Sequence, residues 1–199
     1  MHGRQRGAAL RRHLETANRA LNCLAAERLV ASAEPGDGSE AEYAIRPSRR
    51  DAGGQPVVVS LRGPDDVQLG IHYVVRLDSW PLPNVLDARV IAYAYRLSLV
   101  SAHQQREIIG FHWTPSAPPP QRRHSHLHVG SLVTSGSPFH GGDFNKLHIP
   151  TGPLSMEAVL LFAVEELGVE PAPGRDRETV IDQLRAGDRP PTENPDPLD

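Results

Sequence analysis

The stretch "VQLGIHYVVRL" (Val67–Leu77) decides the fold class. Val67, Leu69, Ile71, Tyr73, Val75 and Leu77 occupy alternate positions, and Gln68, Gly70, His72, Val74 and Arg76 fill the slots between. A period of two over eleven residues specifies a strand with one buried face, because successive side chains point to opposite sides of a sheet. The next segments repeat the pattern. In "RVIAYAYRLSLV" (89–100), Ile91, Tyr93, Tyr95, Leu97 and Leu99 oppose Ala92, Ala94, Arg96 and Ser98. In "EIIGFHWT" (107–114), Ile109, Phe111 and Trp113 oppose Gly110 and His112, and in "HSHLHVG" (124–130) Leu127 and Val129 oppose the histidines. "YAIRP" (43–47) and "PVVVSLR" (56–62) are shorter strand candidates. "ASAEPGDGSEAE" (31–42), "DSWPLPN" (78–84), "TPSAPPPQ" (114–121) and "SGSPFHGGDFN" (135–145) read as loops, since Gly and Pro punctuate them. "SAHQQR" (101–106) reads as a connection.

Helices flank this sheet. Leu10, Leu14, Ala17, Leu21 and Leu24 recur at steps of four and three, which is one apolar stripe on an amphipathic helix. "MEAVLLFAVEEL" (156–167) is almost wholly apolar and is expected to be buried. Ser155 precedes it as an N-cap, Leu154 and Val159 can form a staple, and Gly168 stops it. A last helix in "RDRETVIDQLRAG" is expected behind the cap Asp176. The expectation is an α+β protein: an N-terminal helix, an antiparallel β-meander sheet, and two C-terminal helices packed on one sheet face. Residues 1–31 form an Arg-rich segment and helix, residues 43–187 a single α+β domain, and residues 188–199 a disordered acidic tail.

Composition narrows the function classes. The chain has 199 residues and a net charge of −3, so it lacks the overall basic character of many nucleic-acid binders. Charge is unevenly spread: residues 1–30 are net +4, residues 165–199 net −6. No apolar run is long enough for a membrane span, and the N-terminus has no apolar signal-peptide core. Cys23 is the only cysteine, which leaves no internal disulfide or thiolate zinc cluster and fits a reducing cytoplasm. Cys23 has no activating neighbour in sequence, Tyr93 and Tyr95 read as core or interface aromatics, and Trp113 reads as core.

The polar sheet face carries the chemistry. If the strands are neighbours, His72, Arg76, Arg96, His112, His126 and His128 project on the same side, with Ala92, Ala94 and Gly110 leaving room for a ligand. "RRHSHLHVGS" (122–131) holds His124, His126 and His128 at every second position. Three histidines in line span roughly 13 Å at strand rise, too far for one ion. A zinc site would need His126 and His128 plus a third ligand such as His112, His148 or Asp143. The strands offer no suitably spaced carboxylate to complete it, so no metal is expected, with zinc as the alternative. Histidine titrates near neutrality, and two imidazoles with an arginine suffice for metal-free RNA cleavage. The candidate catalytic set is His112, His126, His128 and Arg96; His72, Arg122 and Arg123 are candidate substrate contacts. The other reading is a non-enzymatic module whose His-lined groove binds a ligand or a metal ion.

"HSHLHVG" resembles the histidine-triad motif of nucleotide hydrolases and transferases, with Ser125 in an apolar slot. A longer likeness runs through "YAYRLSLV…REIIGFHWTP…HSHLHVGS…LHIPTGPLSMEAVLLFAVEELGV". This order of elements resembles the TumE-type toxins of bacterial toxin–antitoxin pairs, over roughly residues 67–168. Tyr93, Tyr95 and Leu97 match the family's Tyr-x-Tyr-x-Leu strand, His126 and His128 its His-x-His segment, and Ser155 to Leu167 its helix. The family's acidic-plus-amide strand end is replaced here by "FHWTP". The resemblance implies a toxin-like, ribonuclease-like role, an antitoxin protein as partner and RNA as target.

Overall fold

A computed structural model describes residues 2–34, 42–50, 54, 58–78, 86–101, 104–114, 125–130 and 148–191. Among these lie three helices and one eight-stranded sheet. Helix α1 (His2–Leu21) comes first. Strands β1 (Leu29–Ala33), β2 (Glu42–Pro47), β3 (Val59–Leu61), β4 (Val67–Asp78), β5 (Asp87–Ser101), β6 (Gln104–Trp113), β7 (His126–Val129) and β8 (His148–Pro150) follow. Helices α2 (Met156–Glu166) and α3 (Arg177–Gly187) close the order. The sheet runs β1-β2-β4-β5-β6-β7-β8, every pair antiparallel. β3 pairs with the start of β4, beside the stretch that β2 uses. No helix among the described residues is long and apolar enough to cross a membrane.

Alternation in β4 becomes burial residue by residue. Its odd-numbered positions from Val67 to Leu77 are all buried, and its even-numbered positions are half-buried or, at His72, exposed. Tyr93, Tyr95, Leu97, Phe111 and Trp113 extend that apolar face across β5 and β6. The helices cover it. His13 of α1 meets Tyr73 edge-on, Phe162 of α2 meets Phe111 edge-on, and the Tyr93 hydroxyl accepts a 3.0 Å hydrogen bond from the Leu154 amide. The stripe of α1 enters the same core: Ala17 and Leu21, with Leu24 just past the end of the helix, pack there with Val159, Leu160 and Leu184. Cys23 is fully buried in it, and burial pushes its thiol pKa up.

Both C-terminal helices have their expected caps. Ser155 Oγ accepts from the Ala158 amide at 3.0 Å and also donates to Asp188 at 2.7 Å. Asp176 accepts from the Thr179 amide at 2.9 Å. Gly168 takes a φ of 66°, the left-handed conformation that ends α2.

Three features depart from the expectation. Residues 31–33, expected as loop, complete β1, and "HIP" before α2 is the short edge strand β8. The connection expected at "SAHQQR" is mostly strand, since β5 runs to Ser101 and β6 starts at Gln104. The third is a change of phase. Leu97 pairs with Ile109, but Ser98 pairs with Glu107, so Ile108 is an extra residue in a β-bulge. A second irregularity at Val74/Val75 makes Ile91 the extra residue in β5.

The β1 edge is finished by a side chain. Asn18 of α1 donates from Nδ2 to the Leu29 carbonyl at 3.1 Å and accepts at Oδ1 from the Leu29 amide at 2.7 Å. Its carboxamide occupies both outward-facing backbone groups of that residue. Of the expected tail, residues 192–199 fall outside the described residues.

Candidate active site

The sheet face that none of the described helices covers is laid out in rows by the strand register. One row reads His72–Ala94–His112–His126–Pro150 across β4, β5, β6, β7 and β8. The next reads Gly70–Arg96–Gly110–His128–His148. Neighbouring strands lie about 4.8 Å apart, so side chains in adjacent slots of these rows touch when they are large.

Three of the expected site histidines touch. The rings of His112 and His128 meet edge-on at 4.8 Å between centroids, and those of His126 and His128 lie 4.9 Å apart. His112 and His126 stack with centroids 6.0 Å apart. His126 Nε2 and His128 Nε2 are 3.0 Å apart, a hydrogen bond in which one ring gives an N–H and the other a lone pair. All three rings are half-buried, which leaves each an open side.

Arg96 stands between two glycines in its row, Gly70 and Gly110, and is 61% exposed. Gly110 is buried because other groups close over it. A Cβ there would stand 2.9 Å from His112 Nε2 and 3.0 Å from Glu107 Oε1. A carboxylate and an imidazole therefore converge above one glycine. Glu107 Oε2 also lies 3.8 Å from Arg96 Nε, a loose, partly exposed ion pair of small energetic weight.

Glu107 is the site residue that sequence reading missed, a carboxylate on the histidine face. Strict alternation back from Trp113 puts Glu107 with Ile109 on the apolar face. The bulge at Ile108 reverses the phase and sets Glu107 opposite Ser98, on the histidine face. The signal was the double isoleucine Ile108-Ile109, two consecutive apolar residues in an otherwise alternating strand. Among the described residues, no group of three or more His, Cys, Asp or Glu is arranged to hold a metal ion.

His72 is on the same face but two strands from His112, roughly 10 Å across the row. It belongs to a separate group. Arg46 of β2 reaches Glu34 at 2.7 Å and His72 Nε2 at 3.4 Å. A guanidinium only donates, so Nε2 of His72 must be the acceptor and Nδ1 carries the proton. Partial burial, and then the Arg46 charge, hold the His72 pKa below its ordinary value against the opposing pull of Glu34. Arg76 also lies toward this edge, in a 2.6 Å pair with Glu42. The candidate contacts Arg122 and Arg123 lie outside the described residues, as do His124 and Asp143.

Compared with protein-family models, curated proteins and solved structures, the chain matches none of them.

Proposed function

We propose that the protein is a toxin-like, metal-independent ribonuclease that cleaves by transphosphorylation at the ribose 2′-hydroxyl. The observation that supports this most is the convergence of three imidazoles, one carboxylate and one guanidinium around Gly110 on the sheet face that no described helix covers. His112 acts as the base and takes the 2′-O–H proton. The nearby Glu107 carboxylate stabilises the imidazolium that forms, the role a carboxylate has beside a catalytic histidine. The freed 2′-oxygen bonds to phosphorus and the bond from phosphorus to the 5′-oxygen breaks. The hydrogen-bonded His126–His128 pair returns a proton to that leaving oxygen. Arg96 donates to the non-bridging oxygens, where charge builds in the transition state. The products are a 2′,3′-cyclic phosphate and a free 5′-hydroxyl.

The likeness to TumE-type toxins sets this chemistry in a biological frame. An RNA-cleaving toxin acts in the cytoplasm, where the lone Cys23 stays reduced, and its antitoxin silences it by covering the open face. The test is cleavage of a single-stranded RNA by the purified full chain in excess chelator, with the ends analysed by mass spectrometry. Cyclic-phosphate ends are expected, with His112→Ala and His128→Ala each slower by roughly 10²–10⁴-fold. Uncut RNA, or cleavage unchanged in both folded variants, overturns the proposal.

A further inference from the structure

The open face has two unlike ends. The end at β6 and β7 gathers three histidines beside Arg96 of β5, groups that meet phosphate. The end at β2 and β4 is chemically different. Arg46 has its charge met by Glu34 at 2.7 Å, so the guanidinium–carboxylate pair is close to neutral. The His72 ring beside it is exposed and takes a 3.4 Å hydrogen bond from that guanidinium. Both groups are planar and both offer a π-face. Between the two ends lies a floor of small residues: Ala94 sits directly between His72 and His112 in register, and Gly70 and Ala92 are its neighbours on that face. All three floor residues are half-buried, and a Cβ on Gly70 would meet only Arg96 and Val58, at 3.6 Å or more, an ordinary contact distance.

We propose that this trough is a nucleobase subsite: the base of the bound nucleotide lies over Ala94 and Gly70 and stacks on the His72–Arg46 wall, with its phosphate at the histidine end. The inference deepens the ribonuclease reading and rests on it for the identity of the ligand. Its physical basis is the match between a neutral, planar wall and a flat aromatic base, where a charged wall would draw a second phosphate. Stacking of this kind tolerates sequence, because every base has a π-face. The fixed tautomer adds selectivity. With Nε2 committed to Arg46, His72 offers one N–H at Nδ1, which can meet a base acceptor at the rim of the trough. A cleft with separate base and phosphate ends also explains a feature that acid–base chemistry leaves unused: alanine at two consecutive floor positions of β5, Ala92 and Ala94, where β-branched residues would be better strand formers.

The experiment compares two probes, adenosine 3′-monophosphate and inorganic phosphate, by calorimetry and by histidine side-chain NMR, using the full chain. His72→Ala is expected to weaken the mononucleotide by about 10-fold and to leave inorganic phosphate unchanged. His72→Phe, which keeps a stacking face, is expected to retain most of the mononucleotide affinity. Arg96→Ala is expected to weaken both probes. Equal loss of both probes in His72→Ala, or no change in either, overturns the base subsite, as does a wild-type protein that binds neither. The two proposals fail separately. A chain that binds the mononucleotide through His72 but never cuts RNA keeps the subsite and loses the ribonuclease. A chain that cuts RNA with unchanged mononucleotide affinity in His72→Ala keeps the ribonuclease and loses the subsite.

Discussion

Replacing Gly130 with alanine tests how closely β6 and β7 must approach for the histidines to meet. Gly130 follows β7 and is buried, and its amide donates to the Ile108 carbonyl at 2.8 Å. A Cβ at this position would run into the carbonyl group of Glu107. The obstacle is backbone, so no side-chain rotation relieves it, and the strands must separate locally. The cost combines two effects. Overpacking of a tight site is worth about 1–3 kcal/mol, and loss of the Gly130–Ile108 hydrogen bond about 0.5–1.5 kcal/mol. Gly130→Ala should therefore destabilise the protein by roughly 2–4 kcal/mol, read as a lower urea midpoint at unchanged slope. The displacement falls on the bulged segment, so Glu107 and the β7 histidines shift relative to His112. RNA cleavage by the fraction that remains folded should fall by about 10-fold or more, because ångström-scale misplacement costs up to about 100-fold. A change under about 0.5 kcal/mol, the range of ordinary surface substitutions, would refute the steric argument.

Three further outcomes are expected. His13 is mostly buried with its Nε2 3.2 Å from the Tyr73 hydroxyl, and burial lowers its pKa from 6.5 despite the opposing pull of Asp87. The unfolded chain then binds more protons between the two pKa values, so stability should fall as pH drops below 6.5 towards the lowered folded value. His13→Gln should flatten that part of a stability–pH profile, and an unchanged slope would show that another group sets it. Ser155→Ala removes the α2 cap and should cost about 1 kcal/mol in thermal or urea unfolding, a result that a loss below a few tenths would contradict. Elemental analysis of the purified protein should find no stoichiometric zinc; one zinc per chain, lost in the His126→Ala, His128→Ala double variant, would instead support the metal-binding module.

Much of the fold is legible where a single physical demand governs a segment. β4 is central and covered on one face only, so period-two alternation runs its full length and maps directly onto burial. α2 buries one side, from Met156 to Val164, and its ends carry unambiguous chemistry in Ser155 and Gly168. Edge strands are harder, because burial constrains them weakly. β1 keeps only Leu29 buried, and β8 is three residues with a proline. The histidine row follows from alternation within each strand, but the contact among His112, His126 and His128 depends on β6 pairing with β7 in one register. Glu107 was hidden because a bulge changes which face each residue takes, and alternation counted from one end cannot cross it.

The carboxamide of Asn18 has consequences for how the sheet ends. A side-chain amide carries the same donor and acceptor as a peptide unit, so Leu29 is satisfied as though another strand lay beside it. Unlike a strand, that amide offers no second edge on its far side. Templated growth of the sheet by strand addition stops at Leu29, in a segment whose sequence, "LVASA", holds no charge or proline to discourage it. Because the stopper belongs to α1, any fluctuation that lifts this helix uncovers apolar core and a sticky strand edge together. Guarding against self-association is thus written into the same helix that completes the core.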